Sequence, residues 1–362
     1  MNSKIRILHV IGTMDMGGAE TMIMNLYRNI DRSRVQFDFF ISTDNECYYN
    51  SEIKQLGGNI YNSVAKSRNP FKFSKDLLNV LYEQKYEAVH IHTSNAMAAI
   101  PAFVAKIMKV KKIIVHSHTS NDTGNEKLHK IMRVLLNRLA THKYSCSDKA
   151  SEWMYGEKKI ESIIINNPID CNKFRYDESY REEIRNELGI RDEKVYVHVG
   201  RFVEAKNHEY LINIFNNINN IESNSKLILI GVGELQSSIK CLVNKYGLND
   251  KVMFLGIRDD VYKILSASDI FIFPSIYEGL PLTLIEAQAN GIPCYISDVI
   301  SNQINVTDLI TKIPLSIKAN EWSNIILNDK NSYHNRSKYN DLIYKYFDVN
   351  AISSKLMELY CE

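Results

Sequence analysis

The sequence lacks the features that organise secreted, thiolate-metal and membrane-spanning proteins. Its six cysteines are far apart and include no Cys-x-x-Cys pair, which argues against a disulfide framework and a cysteine metal site. The longest apolar stretch, residues 96–110, is interrupted by Pro101 and Lys106 and falls short of the ~20 residues of a spanning helix. The first apolar run is too short for a signal peptide. We therefore expect a cytoplasmic protein, with any membrane contact limited to a peripheral one on the inner face of the plasma membrane.

Two further patterns that would indicate bound cofactors or metals are missing. The loop at residues 12–17 has a glycine at each end but not the Gly-x-Gly-x-x-Gly spacing, which disfavours a nicotinamide enzyme. No Asp-x-Asp triplet occurs anywhere in the chain. Histidines at two strand ends, His90 with His92 and His116 with His118, could form a cluster, but their spacing does not match a zinc site. We expect neither a metal nor a cofactor.

What the sequence does contain is an alternation of short β-branched runs with longer amphipathic stretches, the pattern of an α/β protein with parallel strands. A chain of 362 residues exceeds the size of one hydrophobic core, so two domains are expected. We predict two doubly wound, Rossmann-like domains, residues 1–168 and 169–344, and a C-terminal helix at about 345–362 that packs back onto the first. Ligands are expected at the carboxyl ends of the strands, in a cleft between the domains.

The densest chemical signal is the segment from Phe273 to Pro293, which reads FPSIYEGLPLTLIEAQANGIP. A strand ends here and a helix begins near Leu282, so its free amides and its dipole can bind a phosphate without a cation. Glu278 precedes this helix and Glu286 lies about one turn inside it, so they can reach opposite ends of a ligand. Either glutamate alone would more often be a capping or surface acid, whereas the complete segment is specific.

Six short motifs follow one another along the chain. They are Met16-Gly17-Gly18-Ala19-Glu20, His116-Ser117-His118, Asn167-Pro168-Ile169-Asp170, Gly200-Arg201-Phe202 with Lys206-Asn207, Gly231-Val232-Gly233-Glu234, and the segment with two glutamates. In this order they resemble the retaining glycosyltransferases of family 4, over nearly the entire chain. The resemblance implies a GT-B fold, with two facing Rossmann-like domains, and a metal-independent transfer of a sugar from a nucleotide diphosphate carrier, UDP being the expected one, with retention of configuration.

The resemblance also implies a role for each motif residue. Catalysis is assigned to His118 beside the transferred sugar, to Arg201 and Lys206, which neutralise the leaving diphosphate, and to Glu278 at the donor sugar. Contacts with the nucleotide sugar are assigned to Gly17, Gly18, Gly231, Gly233, Arg258, Gly279, Leu280, Leu282, Thr283 and Glu286. Within this set, Glu286 is expected to bind the ribose hydroxyls, and Arg258 lies on the loop expected to seat the base.

No motif specifies the acceptor. Residues 1–165 carry 23 lysines and arginines against 16 acidic residues, so the N-terminal half is basic. A basic lobe suits a saccharide or polyprenyl-diphosphate-linked acceptor at a membrane, as in capsule or exopolysaccharide biosynthesis, although a solvated basic face explains the charge equally well. No nucleic-acid partner is expected. The alternatives are a nucleotide-sugar epimerase of the same fold, a glycogen-type glucosyl transferase and a non-catalytic nucleotide-binding module.

Overall fold

The protein divides into two compact units. The structure, a computed structural model, describes residues 4–119, 125–278, 280–329, 336 and 340–362. Unit 1 comprises residues 1–168 together with 349–362, and unit 2 comprises residues 169–348. No helix in the described ranges is both long enough and apolar enough to cross a bilayer.

Unit 1 is built on one parallel sheet. Its seven strands are β1 (Ile5–Ile11), β2 (Val35–Ile41), β3 (Ile60–Asn62), β4 (Ala88–Thr93), β5 (Lys112–Ser117), β6 (His142–Ser145) and β7 (Ser162–Ile164). They lie in the order β3-β2-β1-β4-β5-β6-β7, and every neighbouring pair is parallel. Because β1 pairs with both β2 and β4, the strand order reverses there, and ligands of doubly wound sheets bind at such a point.

The helices of unit 1 connect these parallel strands. They are α1 (Gly18–Asn29), α2 (Asn50–Gln55), α3 (Pro70–Glu83), α4 (Ala99–Ile107), α5 (Glu126–Leu139) and α6 (Asp148–Tyr155). Their starts follow local sequence: the Asn69 side chain accepts a hydrogen bond from the amide of Lys72, and Pro70 occupies the first turn of α3, where its missing N–H costs nothing.

Unit 2 repeats the architecture on a second parallel sheet. Its strands are β8 (Lys194–Val199), β9 (Ser225–Ile230), β10 (Val252–Gly256), β11 (Ile270–Phe273), β12 (Cys294–Ser297) and β13 (Ile310–Ile313), in the order β10-β9-β8-β11-β12-β13. The strand order reverses between β8 and β11. The loops that follow these two strands therefore mark the expected ligand site of this sheet.

The remaining helices surround the second sheet and close the chain. They are α7 (Glu178–Glu187), α8 (His208–Ile221), α9 (Gln236–Lys245), α10 (Val261–Ala267), α11 (Leu282–Ala289), α12 (Ala319–Asn328), α13 (Asn340–Phe347) and α14 (Val349–Cys361). The last of them belongs to unit 1, where it packs on α1 and places the buried Ile352, Leu356 and Tyr360 in the apolar core.

The predicted fold class is confirmed, since both units are α/β with a doubly wound parallel sheet. All seven residues of β2 are buried, as expected for a strand covered on both faces. Two short strands were not predicted: β3 and β13 lie at sheet edges and have three and four residues. Neither of them forms the continuous apolar run that identifies the central strands.

Candidate active site

Three loops at the carboxyl edge of the second sheet are joined into one layer by their backbones. The loops follow β8, β9 and β11, which run parallel and therefore end on the same side. The amide of Phe202 donates to the carbonyl of Val232 at 3.1 Å, and the amide of Leu235 donates to the carbonyl of Phe202 at 3.0 Å. The amide of Ile276 donates to the carbonyl of Ala205 at 2.8 Å. These hydrogen bonds fix the backbone positions of the three loops relative to one another.

Two glycines permit this close packing. Gly231 has φ +133°, and a Cβ placed there would lie 2.1 Å from the carbonyl oxygen of Gly200. A Cβ on Gly233 would lie 2.5 Å from the carbonyl oxygen of Phe202. The neighbours are backbone atoms that cannot move aside cheaply, so both positions require glycine for loop packing. Contact between these two glycines and a nucleotide remains a prediction.

Lys206 and Glu278 form an ion pair at the strand-order reversal of unit 2. The Lys206 Nζ donates to Glu278 Oε1 at 2.6 Å, and the side chains are only 18% and 12% exposed. The same ammonium lies 4.7 Å from the centre of the Phe273 ring. Low exposure reduces solvent screening of the pair, and the contact fixes the position of the ammonium. The structure therefore brings two of the four predicted catalytic residues together.

Arg201 lies in the same loop as Lys206 and carries the same charge, but its surroundings differ. Its side chain is exposed, and it forms no ion pair or hydrogen bond with any residue that the structure describes. An unpaired guanidinium beside a backbone-anchored loop is available to bind an anion in a bidentate manner.

Helix α11 begins without a side-chain cap. Its N-cap residue is Pro281, which offers no hydrogen-bonding side chain to the first turn. The Oγ1 of Thr283, in that turn, and the Oγ of Ser275, in the loop before it, are buried and have no hydrogen-bond partner in the described part of the chain. Buried hydroxyls are normally paired, so these atoms and the uncapped amides are suited to an anionic, oxygen-rich ligand. Of the neighbouring predicted contacts, Leu280 and Leu282 pack partly buried against the core, and Gly279 lies outside the described residues.

Glu286 lies one turn further along α11 with its carboxyl group unpaired among the described residues. The group is partly buried, and burial raises its pKa to about 7, against a smaller opposing effect of the Lys173 ammonium. A carboxyl group with this pKa exists in both protonation states near neutral pH. It can therefore accept hydrogen bonds from hydroxyls or donate one, which is the chemistry required for a ribose diol.

Arg258 is committed to carboxylates of the protein itself. Its guanidinium donates to both oxygens of Asp260 at 2.7 Å and to Glu187 at 3.1 Å. The hydrogen bonds to Asp260 and Glu187 raise the pKa of Arg258 above its ordinary value, in spite of partial burial. Its guanidinium already shapes the loop after β10, so a direct contact with the nucleotide base stays a prediction that this geometry does not support.

In unit 1, the predicted glycines lie where α1 begins. Gly17 is the N-cap residue of α1, and a Cβ there would lie 2.2 Å from a carboxylate oxygen of Glu20, whose side chain could swing away. Gly18 is the first helical residue, and a Cβ on it would meet nothing within 4 Å. Packing among the described residues therefore does not require a glycine at position 18. The reason predicted for Gly18 is the close approach of a ligand.

His118 belongs to a cluster of five buried or partly buried histidines on one face of the first sheet. His92 Nδ1 lies 2.9 Å from His118 Nε2, and His92 Nε2 lies 2.9 Å from His9 Nδ1. His90 Nδ1 lies 2.7 Å from the Tyr360 hydroxyl. His116 stacks on His118 with ring centres 4.3 Å apart, and neither of its nitrogens has a hydrogen-bond partner among the described residues.

The environment of this cluster keeps its imidazoles neutral. Burial lowers the pKa of His9 to about 3 and that of His118 to about 4. Sequence reasoning grouped the other members by their strand ends but missed His9. The signal that identifies it is the register of the sheet, in which His9 on β1 is directly opposite His90 on β4.

Two triplets of this cluster have ring nitrogens close enough together to be tested as metal ligands. One is His9, His90 and His92, and the other is His92, His116 and His118; the atoms in each lie within 4.8 Å of one another. His92 is common to both, and both of its nitrogens are already within hydrogen-bond distance of neighbouring imidazoles. These nitrogens are placed to form hydrogen bonds between the rings, and the expected absence of a metal stays a prediction.

Two family models match the chain in succession. The one described as Glycosyltransferase Family 4 matches residues 16–173, and the one described as Glycosyl transferases group 1 matches residues 180–341. The boundary between the two matches lies close to the boundary between unit 1 and unit 2.

Whole-sequence comparison adds characterised and named relatives. The chain is 34% identical over 338 residues to the putative glycosyltransferase EpsF of Bacillus subtilis (strain 168), covering 90% of this chain and 88% of the relative. It is 28% identical over 238 residues to the UDP-Gal:alpha-D-GlcNAc-diphosphoundecaprenol alpha-1,3-galactosyltransferase of Escherichia coli, covering 62% of this chain and 61% of that enzyme.

The fold is also found in a solved structure. The crystal structure of Anabaena Alr3699/HepE in complex with UDP matches with a TM-score of 0.80 and 19% identity, over 99% of both chains. At this level of identity the likeness concerns the fold alone, and it confirms the GT-B fold predicted from the sequence.

Proposed function

Because the chain belongs to glycosyltransferase family 4, we propose that it transfers a sugar from a nucleotide diphosphate sugar to a saccharide or polyprenyl-diphosphate-linked acceptor. The proposal includes retention of configuration at the sugar and independence from a bound metal. One observation carries it: Arg201, the Lys206–Glu278 pair and the uncapped start of α11 occupy loops at the same edge of one sheet. This arrangement supplies two cations and free amides for a diphosphate.

The chemistry follows from where charge develops. As the bond between the sugar's anomeric carbon and the phosphate oxygen breaks, negative charge grows on the leaving diphosphate. Fixed cations and amides stabilise that charge more than they stabilise the ground state. The acceptor hydroxyl then bonds to the same face of the anomeric carbon, and its proton passes to the departing phosphate oxygen. Glu278, held by Lys206, serves in this scheme as a sugar contact rather than as a nucleophile.

Donor and acceptor classes are proposed from relatives as well as from the site. A uridine nucleotide is supported by the UDP in the Anabaena structure. The carboxyl of Glu286, unpaired among the described residues, suits the ribose hydroxyls that every ribonucleotide carries. A polyprenyl-diphosphate-linked acceptor is supported by the name of the Escherichia coli relative. The corresponding process would be the assembly of a capsule or exopolysaccharide.

A peripheral membrane contact through α5 belongs to the same proposal. The helix exposes apolar side chains between basic ones: Leu128, Ile131, Val134 and Leu135 among Lys127, Lys130, Arg133 and Arg138. Interleaving of this kind suits the headgroup region of an anionic bilayer. Vesicle sedimentation with and without anionic lipid tests this contact: binding that does not depend on anionic lipid would contradict it.

The transfer reaction is tested with two charge deletions and a matched control. Arg201→Ala and Lys206→Ala should each lower turnover by about 2 to 4 kcal/mol of transition-state stabilisation, because each removes a cation from the diphosphate. Lys226→Ala removes a positive charge near the amino end of β9, at the opposite edge of the same sheet, and should leave turnover unchanged. A panel of nucleotide sugars with and without a polyprenyl-diphosphate acceptor provides the assay.

Three results would contradict the proposal. Arg201→Ala with normal turnover would remove the role of the exposed cation. Equal losses in Arg201→Ala and Lys226→Ala would show a general charge effect. Conversion or release of the sugar at an undiminished rate without any acceptor would instead indicate an epimerase or a hydrolase.

A further inference from the structure

Three histidines of unit 1 form a continuous hydrogen-bonded chain. It runs from His9 Nδ1 to His92 Nε2 and from His92 Nδ1 to His118 Nε2, with 2.9 Å at each step. The two end atoms, His9 Nε2 and His118 Nδ1, are buried and have no hydrogen-bond partner among the residues that the structure describes. We call these three residues the histidine relay.

Proton positions in this chain cannot be independent. A neutral imidazole carries one N–H and one lone pair, so each ring can donate at one end and accept at the other. If His9 donates to His92, then His92 must donate to His118, and the remaining proton of His118 is on Nδ1. If His118 donates instead, every step reverses and the outer proton is on His9 Nε2. Only two arrangements satisfy both contacts.

The surroundings of the end atoms favour the first arrangement. His9 is 1% exposed, its ring packs against Phe37 and Phe39 with centres 4.1 and 5.6 Å apart, and an N–H on its Nε2 would be buried with no acceptor among the described residues. Buried N–H groups without a partner are rarer than unpaired acceptors, because they lose a full hydrogen bond to water. The Nδ1 atom of His118 is also out of contact with solvent, but His118 as a whole is only partly buried, so a bound ligand can reach its outer proton more readily than one on the fully buried His9.

We propose that His9 and His92 are positioning residues that hold His118 in the Nδ1–H form, so that His118 donates a hydrogen bond to an oxygen of the donor sugar. This inference rests on the proposed function only for the identity of the ligand. The proton arrangement itself depends on the contacts within unit 1. His90, on the same strand and face as His92, bonds to Tyr360 and is not part of the relay.

Isotope-edited NMR tests the proton arrangement without any substrate. In protein labelled with 15N-histidine, long-range proton–nitrogen correlations distinguish Nδ1–H from Nε2–H imidazoles. We expect His9, His92 and His118 all to be in the Nδ1–H form at pH 7. An Nε2–H form at any of the three, or a change in their nitrogen shifts on adding one equivalent of Zn²⁺ or Co²⁺, would overturn the relay in favour of the reverse direction or of a metal site.

Matched substitutions on β4 then test the consequence for ligand binding. His92→Phe interrupts the relay, whereas His90→Phe makes the same change two residues away on the same buried face. His92→Phe should shift the nitrogen resonances of His118 and weaken binding of the nucleotide sugar selected in the transfer assay about five- to tenfold. It should leave affinity for the free nucleoside diphosphate unchanged. His90→Phe should change none of these three quantities.

The outcomes separate this inference from the proposed function. If the wild-type protein binds no nucleotide sugar but the three tautomers are as stated, the proposed function fails and the relay stands. If His92→Phe and His90→Phe weaken sugar binding equally, or if His92→Phe weakens the free diphosphate as much as the nucleotide sugar, the positioning role is wrong. Should His92→Phe fail to fold, the tautomers in the wild-type protein still decide the question.

Discussion

The two units present opposite chemistry on the same architecture. At the carboxyl edge of its sheet, unit 2 carries a partly buried ion pair, an exposed arginine and an uncapped helix. On one face of its sheet, unit 1 carries five histidines that burial keeps neutral. The side chains of unit 2 are thus suited to binding charge, whereas those of unit 1 are suited to forming hydrogen bonds. The same fold thus carries different side-chain chemistry in its two copies.

The largest expected contrast between the units is their response to acid. Buried histidines whose pKa is lowered bind fewer protons in the folded than in the unfolded state, so stability is lost as pH falls below about 6.5. His9 and His118, with pKa values of about 3 and 4, should each contribute on the order of 2 kcal/mol of this loss by pH 5. Among the described residues, unit 2 has two histidines whose pKa is lowered, His198 and His208, against six in unit 1, which are the five of the cluster and His142. We expect unit 1 to unfold first on acidification.

Two tryptophans make the contrast measurable. Trp153 packs in unit 1 and Trp322 is buried in unit 2, and the chain contains no others. Urea unfolding of Trp153→Phe and Trp322→Phe, followed by fluorescence at pH 7 and pH 5, reports each unit separately. Coincident transitions at pH 5, or earlier unfolding of unit 2, would contradict the expected order.

A pair of glycine substitutions, one in each unit, should change the free energy of unfolding by an intermediate amount. Gly233→Ala in unit 2 places a methyl group 2.5 Å from the backbone of Phe202, and should lower the free energy of unfolding by about 1 to 3 kcal/mol. Gly18→Ala in unit 1 meets nothing within 4 Å and should change it by about 0.5 kcal/mol or less. Chemical denaturation measures both. If Gly18→Ala instead weakens donor binding at unchanged stability, its glycine is explained by ligand approach.

The smallest expected effect comes from Glu286, whose contribution to the pH dependence of stability is opposite in sign to that of the histidines. Its raised pKa means that the folded state binds an extra proton between pH 4.5 and about 7, so this group lowers stability as pH rises through that range. Since the side chain is partly exposed, we expect Glu286→Gln to gain on the order of 1 kcal/mol over wild type between pH 5 and pH 8. Unfolding curves read from Trp322 test this, and a gain of the same size with Glu209→Gln, on the exposed side of α8, would contradict it.

Much of the fold could be predicted from the sequence because central parallel strands are continuous apolar runs with a recognisable period. The same rule missed β3 and β13, which are short and lie at edges. Within the candidate site, local sequence identified the uncapped start of α11, since Pro281 and the residues after it are contiguous. Local sequence could not predict contacts between residues that are far apart in the chain. Lys206 and Glu278 are 72 positions apart, and His9 and His92 are 83 positions apart.

Three residues show that a motif can assign a role that the observed contacts explain differently. Gly231 and Gly233 were identified as ligand contacts, yet the structure already explains them by the packing of one loop against another. Arg258 was assigned to the nucleotide, yet its guanidinium is occupied by Asp260 and Glu187. A motif identifies which residues matter, whereas the reason depends on neighbours that are distant in sequence.

The claim that unit 2 holds a diphosphate by its own charges is tested most directly by calorimetric titration of UDP into protein kept in excess EDTA. We predict that UDP binds equally well with EDTA and with Mg²⁺, and that Arg201→Ala and Lys206→Ala weaken it whereas Lys226→Ala does not. Binding that requires Mg²⁺, or that survives loss of both Arg201 and Lys206, would contradict this account.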